Sequence, residues 1–311
     1  AALGGVATVL GTQQLKVKSA KAKGLFIMNA AKPRLKRIKM ATIGAPDVAK
    51  VETWYSEYLD YQVVERGIVP SPLAESWRAA GSAGRPYVLL GPASGEDVFV
   101  RAVEIDPVPE FKTLTTHGWA AIEITVSNVD KVMEKVKRSP FRVIGAPHAL
   151  TPASPIRAMQ VIGPAGEVVY LTGNTGDRAA SNHPEIKTLI DRIFIMVLAG
   201  PDLAALKKFY LEKFQLGDQG DLAFPVSVLA DAQGLPAEHI YSLSVLVASE
   251  RGNKLELDQY EPQFGTRPGP ADQLSPGVAM ATFEANGLDN LTVDFIKPPA
   301  PLYEGYTAAT F

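Results

Sequence analysis

Three stretches of this chain repeat one grammar. A repeat limits the fold more tightly than composition does, because each unit must bury its apolar face against a neighbour. The first stretch runs from Arg37 to Arg66 (RIKMATIGAPDVAKVETWYSEYLDYQVVER), the second from Trp119 to Ile144 (WAAIEITVSNVDKVMEKVKRSPFRVI), and the third from Asp191 to Gln219 (DRIFIMVLAGPDLAALKKFYLEKFQLGDQ). Each opens on a short apolar run, passes through a turn holding Asp or Asn, continues as an amphipathic stretch and ends on a second apolar run.

Local chemistry assigns these parts. Ile38, Met40 and Thr42 alternate as strand residues do. Asp47 and Asp202 follow prolines and stand where a helix N-cap accepts orphan backbone N–H groups. Val48, Val51, Trp54, Tyr55 and Tyr58 then recur at helical spacing, as do Leu203, Leu206, Phe209, Tyr210 and Phe214. The pairs Trp54-Tyr55 and Phe209-Tyr210 both fall seven to eight residues past the capping aspartate. Two strand-like runs close each unit, separated by GPASGED, GPAGE and SERGN, which are hairpin signals. The runs are Tyr87 to Leu90 and Val98 to Val103, Ala158 to Ile162 and Val168 to Leu171, and Ile240 to Ala248 and Lys254 to Gln259. The order is βαβββ, three times. A fourth copy starts at Gly277 (GVAMATFEANGLDNL) and stops before its last hairpin. That leaves a sheet edge for another segment, or a second copy of the chain, to fill.

From about Leu35 onward this set of units resembles the vicinal-oxygen-chelate superfamily of glyoxalases, bleomycin-resistance proteins and extradiol dioxygenases. The resemblance implies an α+β fold in which tandem βαβββ modules pair into half-open β-barrels around a cup. The expected division is an N-terminal arm over 1–32, a first pair of modules over 33–174, a linker over 175–186, and a second pair, with the fourth module incomplete, over 187–311. The family's metal ligands are a His or Gln on each module's first strand and a Glu on its last strand. Seven residues before the cap, where the first-strand ligand belongs, this chain has Met40, Ala121 and Ile195, and the corresponding residue of the fourth copy is Met280. The last-strand position falls near Phe99 or Arg101, then at Tyr170, then at Glu256. Only Glu256 keeps a ligand-type residue, and one carboxylate does not hold a catalytic metal. No cofactor is therefore expected, with a divalent metal the disfavoured alternative.

Composition narrows the chemistry further. The chain has no cysteine, four histidines (His117, His148, His183 and His239) and a formal net charge of -2. Thiol chemistry is excluded, and neither a long single-sign charge run nor a basic balance points to nucleic acid. The apolar start Ala1 to Gly11 is too short to span a bilayer. With Ala20-Lys21-Ala22 behind it, this stretch looks like part of a bacterial export signal. Periplasmic and cytoplasmic locations both stay open.

The candidate catalytic residues are Glu123, Tyr170 and Arg101, expected to converge in the first cup. There a buried carboxylate would act as base, a phenol would polarise an oxygen, and a guanidinium would hold an anion. A structural Glu123–Arg101 ion pair is the plain alternative. Met40, Thr42, Thr125, Trp77 and His148 are candidate ligand contacts. Trp77 lies on a long Gly67 to Gly84 loop of the kind that forms lids, and His148 on a Pro-rich loop. The partner expected is a small aromatic or oxygenated molecule. Three functions remain open: a metal-independent lyase or isomerase, a sequestering protein of the bleomycin-resistance type, and a metal-dependent dioxygenase or glyoxalase-like enzyme. Fold resemblance does not choose among them.

Overall fold

A computed structural model describes residues 33–151, 153–288 and 308–310. The export-signal-like stretch, and the fourth copy between 289 and 307, lie outside the described residues. The first module is β1 (Leu35–Ala45), α1 (Val48–Tyr58), β2 (Tyr61–Ile68), a short helix α2 (Ser71–Ser76), β3 (Pro86–Pro92) and β4 (Phe99–Glu104). The second is β5 (Gly118–Val126), α3 (Val129–Val136), β6 (Arg142–Ala149), β7 (Ile156–Ile162) and β8 (Val168–Asn174). The third is β9 (Ile190–Gly200), α4 (Leu203–Phe214), β10 (Gly217–Pro225), a short helix α5 (Ser227–Gln233), β11 (Ile240–Val247) and β12 (Lys254–Gln259). The fourth contributes β13 (Gly277–Ala285) and β14 (Ala308–Thr310). Among the described residues no helix is long and apolar enough to cross a membrane.

The three helices start alike. Asp47 accepts from the Lys50 amide at 3.0 Å, Asn128 from Lys131 at 2.9 Å and Asp202 from Ala205 at 2.9 Å. Each cap satisfies one of the orphan donors of its first turn. The apolar stripe then turns inward, so that Tyr55 of α1 and Tyr210 and Phe214 of α4 are buried.

Strand pairing corrects the expected assembly. The sheets do not join the first module to the second and the third to the fourth. One sheet has the order β14-β13-β1-β4-β3-β2, and the other β10-β11-β12-β9-β5-β8-β7-β6. The second and third modules therefore share a sheet through antiparallel β5 and β9, and the first shares one with the fourth through antiparallel β1 and β13. The reason is the path of the chain. In the second module β8 runs parallel to β5, and β9 runs antiparallel to it, so β8 ends where β9 begins, with one strand between them. In modules one to three the slot beside the first strand holds that module's own last strand, in parallel. Beside β13 the slot holds β14 instead, antiparallel, with Thr282 opposite Thr310 and their hydroxyls 2.8 Å apart.

Each strand has two faces, and these sort the core. The helix-side face carries Ile38, Ala41, Ile122, Ile124, Met196, Leu255 and Phe283, which pack with Tyr55, Val132 and Tyr210 of the helices into one large core serving both sheets. Each concave face has its own smaller cluster. Leu229 and Ala230 of α5 pack against the β5–β9 cup, and Leu73, Ala74 and the following Trp77 against the β1–β13 cup.

Candidate functional site

Residues opposite one another across a ladder project to the same face, so the register defines what lines each cup. In the cup of modules two and three, Glu123 stands opposite Tyr170 on one side and Ile195 on the other. Ile195 stands opposite Lys254, and two and four residues along β12 are Glu256 and Asp258. Gln160 faces the same cup opposite Tyr170, and Thr172 lies opposite Thr125. A Cβ at Gly145 would stand 1.8 Å from Gln160 Oε1, so that glycine makes room for the amide. Tyr241 and Tyr260, with ring centroids 6.5 Å apart, close the wall on the β11–β12 side.

These groups are polar and buried together. Glu123 is 8 % exposed and Asp258 4 %. Burial pushes the Glu123 carboxyl above the ordinary carboxylate range; the Lys254 ammonium draws it partly back. Burial also raises Asp258 and Glu256, and the Glu123 charge raises both further. Burial favours the protonated form of all three carboxyls, and a charge on one discourages ionisation of its neighbours, so they titrate as a set. Burial holds the Tyr170 and Tyr260 phenols protonated, and the nearby carboxylates reinforce this. Lys254 donates to the Ser181 carbonyl at 3.1 Å, and burial lowers its pKa. Asp258 Oδ1, Tyr260 Oη, Thr172 Oγ1 and Gln160 Oε1 have no hydrogen-bond partner. An interior that normally pairs its polar atoms leaves four unpaired on one concave face. Tyr170 and Glu256 retain partial exposure, which places the opening of the cup beside them.

Glu123 and Tyr170 are register partners, but Arg101 does not join them. Arg101 lies on β4 in the other sheet, opposite Thr42, because the first module pairs with the fourth. The same correction unites Glu256 with Glu123 and Tyr170, which sequence order had assigned to different cups. A Glu123–Arg101 ion pair is likewise absent among the described residues. Met40, Thr42 and Trp77 gather around Arg101 in the β1–β13 cup. Thr125 is committed to structure: its Oγ1 accepts from Arg178 at 2.8 Å. His148 lies exposed on the edge strand β6, its Nδ1 2.9 Å from the Ala146 carbonyl. Sequence reasoning missed Gln160, Thr172, Tyr260 and α5. The β2–β3 loop had a counterpart in the third module, PVSVLADAQGLPAEH, whose Pro and Gly punctuation matches and was the available signal.

The resemblance to the vicinal-oxygen-chelate superfamily implies a divalent metal held by residues of the first and last strands. Ala121 and Ile195 carry no donor, Tyr170 is held protonated, and Glu256 has its proton favoured by Asp258 and Glu123. Thioether Met40 and Met280 in the other cup are soft donors that hard or borderline cations disfavour. Glu123, Glu256 and Asp258 influence one another, yet among the described residues no three acidic or imidazole groups converge as a metal would require. This donor set does not fit the family's metal.

No family model matches the sequence, and no curated protein matches it significantly. Solved structures do match. Glyoxalase I from Zea mays aligns with a TM-score of 0.50 at 16% identity, covering 73% of this chain and 68% of that one. A candidate dioxygenase from Bacillus subtilis aligns with a TM-score of 0.51 at 9% identity, covering 75% of this chain and 66% of that one. The chain spans about two-thirds of the length of each. At such identities the likeness is one of fold.

Proposed function

From a chain with the glyoxalase fold of the vicinal-oxygen-chelate superfamily, we propose a metal-independent proton-transfer enzyme, a lyase or isomerase, that acts on a small aromatic or oxygenated compound in the cup of modules two and three. The observation that carries this reading is geometric: Glu123 and Asp258 are buried on one concave face, Glu123 stands opposite Tyr170, and Asp258 Oδ1 has no hydrogen-bond partner. Glu123 is the base: it stands at the centre of the cup, opposite Tyr170, with the Lys254 ammonium favouring its charge. Tyr170 stands opposite it with its proton retained, ready to donate to an oxygen that gains charge as the substrate loses a proton. Asp258, whose protonated form burial favours and whose Oδ1 lacks a partner, returns a proton at a second position. A base and acids of opposed protonation in one desolvated cup suit abstraction of a proton next to a carbonyl and its delivery elsewhere.

The test works without the natural substrate in hand. A panel of small aryl and aliphatic ketones and hydroxyketones is incubated with protein in D2O, and exchange of the acidic C–H is followed by proton NMR. The wild type is expected to accelerate exchange in at least one member. Glu123→Gln is expected to lose about 10²-fold or more of that rate, the usual contribution of a positioned base. Exchange that survives Glu123→Gln would overturn the reading.

The tyrosine wall of Tyr170, Tyr241 and Tyr260, covered by α5, favours a second reading: a sequestering protein that grips a flat ligand without turning it over. Ligand-dependent thermal stabilisation without any exchange selects it.

A further inference from the structure

We propose that the other cup, formed by modules one and four, is a separate binding site for a small organic carboxylate, held by Arg101 against Trp77. Arg101 projects from β4 into an apolar concavity and is 5 % exposed. The residues around it on the two first strands are Met40, Thr42 and Met280, and the plug from the β2–β3 connection adds Leu73 and Trp77. Its guanidinium makes one hydrogen bond, from Nη2 to Thr42 Oγ1 at 2.9 Å, and stacks 4.5 Å from the Trp77 ring centroid. Its Nε has no acceptor, nor does the neighbouring Trp77 Nε1, and both atoms are buried. Among the described residues no carboxylate forms an ion pair with Arg101.

Two other arginines among the described residues, Arg192 buried and Arg267 half-buried, are treated differently. Arg192 bonds the Ile193 and Gly252 carbonyls and Asn253, and lies 3.7 Å from Glu96. Arg267 donates to three carbonyls, those of Pro276, Val278 and Trp119, and to Thr116 Oγ1. A charge buried without its counter-charge opposes folding. A chain that satisfies these two guanidiniums so fully leaves that of Arg101 short of one anionic, hydrogen-bond-accepting group. A carboxylate supplies that group: it matches the planar fork of the guanidinium, and its remaining oxygen can accept from Trp77 Nε1–H. The methionine and leucine lining suits an apolar body behind it. The segment from α2 to residue 84 covers the site, and its backbone turns through left-handed φ angles of +56° at Arg78 and +77° at Gly84.

The two cups thus select opposite chemistry. Arg101 lies in a different sheet from Glu123, so the proposal stands whether or not Glu123 is a base.

Benzoate is the probe, with inorganic phosphate as the second arm, each titrated into the full chain and read by tryptophan fluorescence and melting temperature. Benzoate is expected to saturate, to change the fluorescence and to raise the melting temperature. Arg101→Met is expected to lose that binding by at least tenfold while melting, without ligand, at or above the wild-type temperature, because it removes the uncompensated charge. Arg101→Lys, which keeps the charge but not the fork, is the second variant should Arg101→Met fail to fold, and it is expected to bind benzoate at least tenfold more weakly. Glu123→Gln is expected to bind benzoate as the wild type does, which separates failure here from failure of the proton-transfer reading. Benzoate that fails to bind the wild type, binding that survives both Arg101 variants, or saturation by phosphate in place of benzoate would overturn the assignment.

Discussion

Glu167 gives the sharpest pH-dependent prediction. It immediately precedes β8, three residues before Tyr170, and folds back over its own hairpin so that Oε2 accepts from the Ala165 amide at 2.8 Å. The carboxyl is 1 % exposed and lies under Tyr55 of α1, while its Oε1 and the Tyr55 hydroxyl both lack a hydrogen-bond partner. Burial pushes its pKa up from 4.5 to about 7, against partial opposition from the backbone amides. A carboxyl with a raised pKa binds more protons folded than unfolded, so its contribution is fully present below pH 4.5 and is lost as pH rises through 7. At 1.36 kcal/mol per pH unit the gap amounts to about 3 kcal/mol, of which roughly 2.5 kcal/mol falls between pH 5 and pH 8. Glu167→Gln keeps an acceptor for Ala165 and cannot ionise. Urea unfolding of both proteins at pH 5 and pH 8 isolates this residue, since every other titrating group cancels in the difference. The variant is expected to gain roughly 2.5 kcal/mol on the wild type over that interval. A difference independent of pH would refute the burial argument, whatever its absolute size.

Two further outcomes follow from local geometry. Asp202→Ala removes the α4 cap and is expected to cost about 1 kcal/mol in urea unfolding, with Asp202→Asn close to neutral. Gly44→Ala would place a Cβ 2.2 Å from the Ser275 carbonyl oxygen, where the first module meets the chain leading into β13; a loss of about 1–3 kcal/mol is expected, since both neighbours are backbone. His183 works in the opposite sense to Glu167: burial and Lys254 hold its pKa down to about 4 from 6.5, so its contribution is present above pH 6.5 and is lost as pH falls toward 4. His183→Gln is expected to flatten the acid limb of the stability curve.

Much of the fold was legible because its signals are local. The caps at Asp47, Asn128 and Asp202, and the hairpin runs closing each module, are decided by residues within a few positions of one another, and β12 falls on Lys254–Gln259 as its pattern predicts. Which modules share a sheet was not legible. Four first strands with similar apolar runs offer the same edge, and the choice depends on where each module's last strand lets the chain emerge. The site inherited that error. Strand alternation placed Glu123, Thr125 and Tyr170 on the concave face, but only the pairing of β5 with β9 brings Glu256 and Asp258 beside them and removes Arg101. Gln160 and Thr172 look like ordinary strand residues until burial leaves their oxygens without partners.

Elemental analysis of protein purified from cells supplied with iron, manganese and zinc tests the cup of modules two and three most directly. Each metal is expected well below one ion per chain, because Ala121 and Ile195 carry no donor and the carboxyls beside them hold protons. One tightly held ion per chain, lost on Glu256→Ala, would contradict the proton-transfer site.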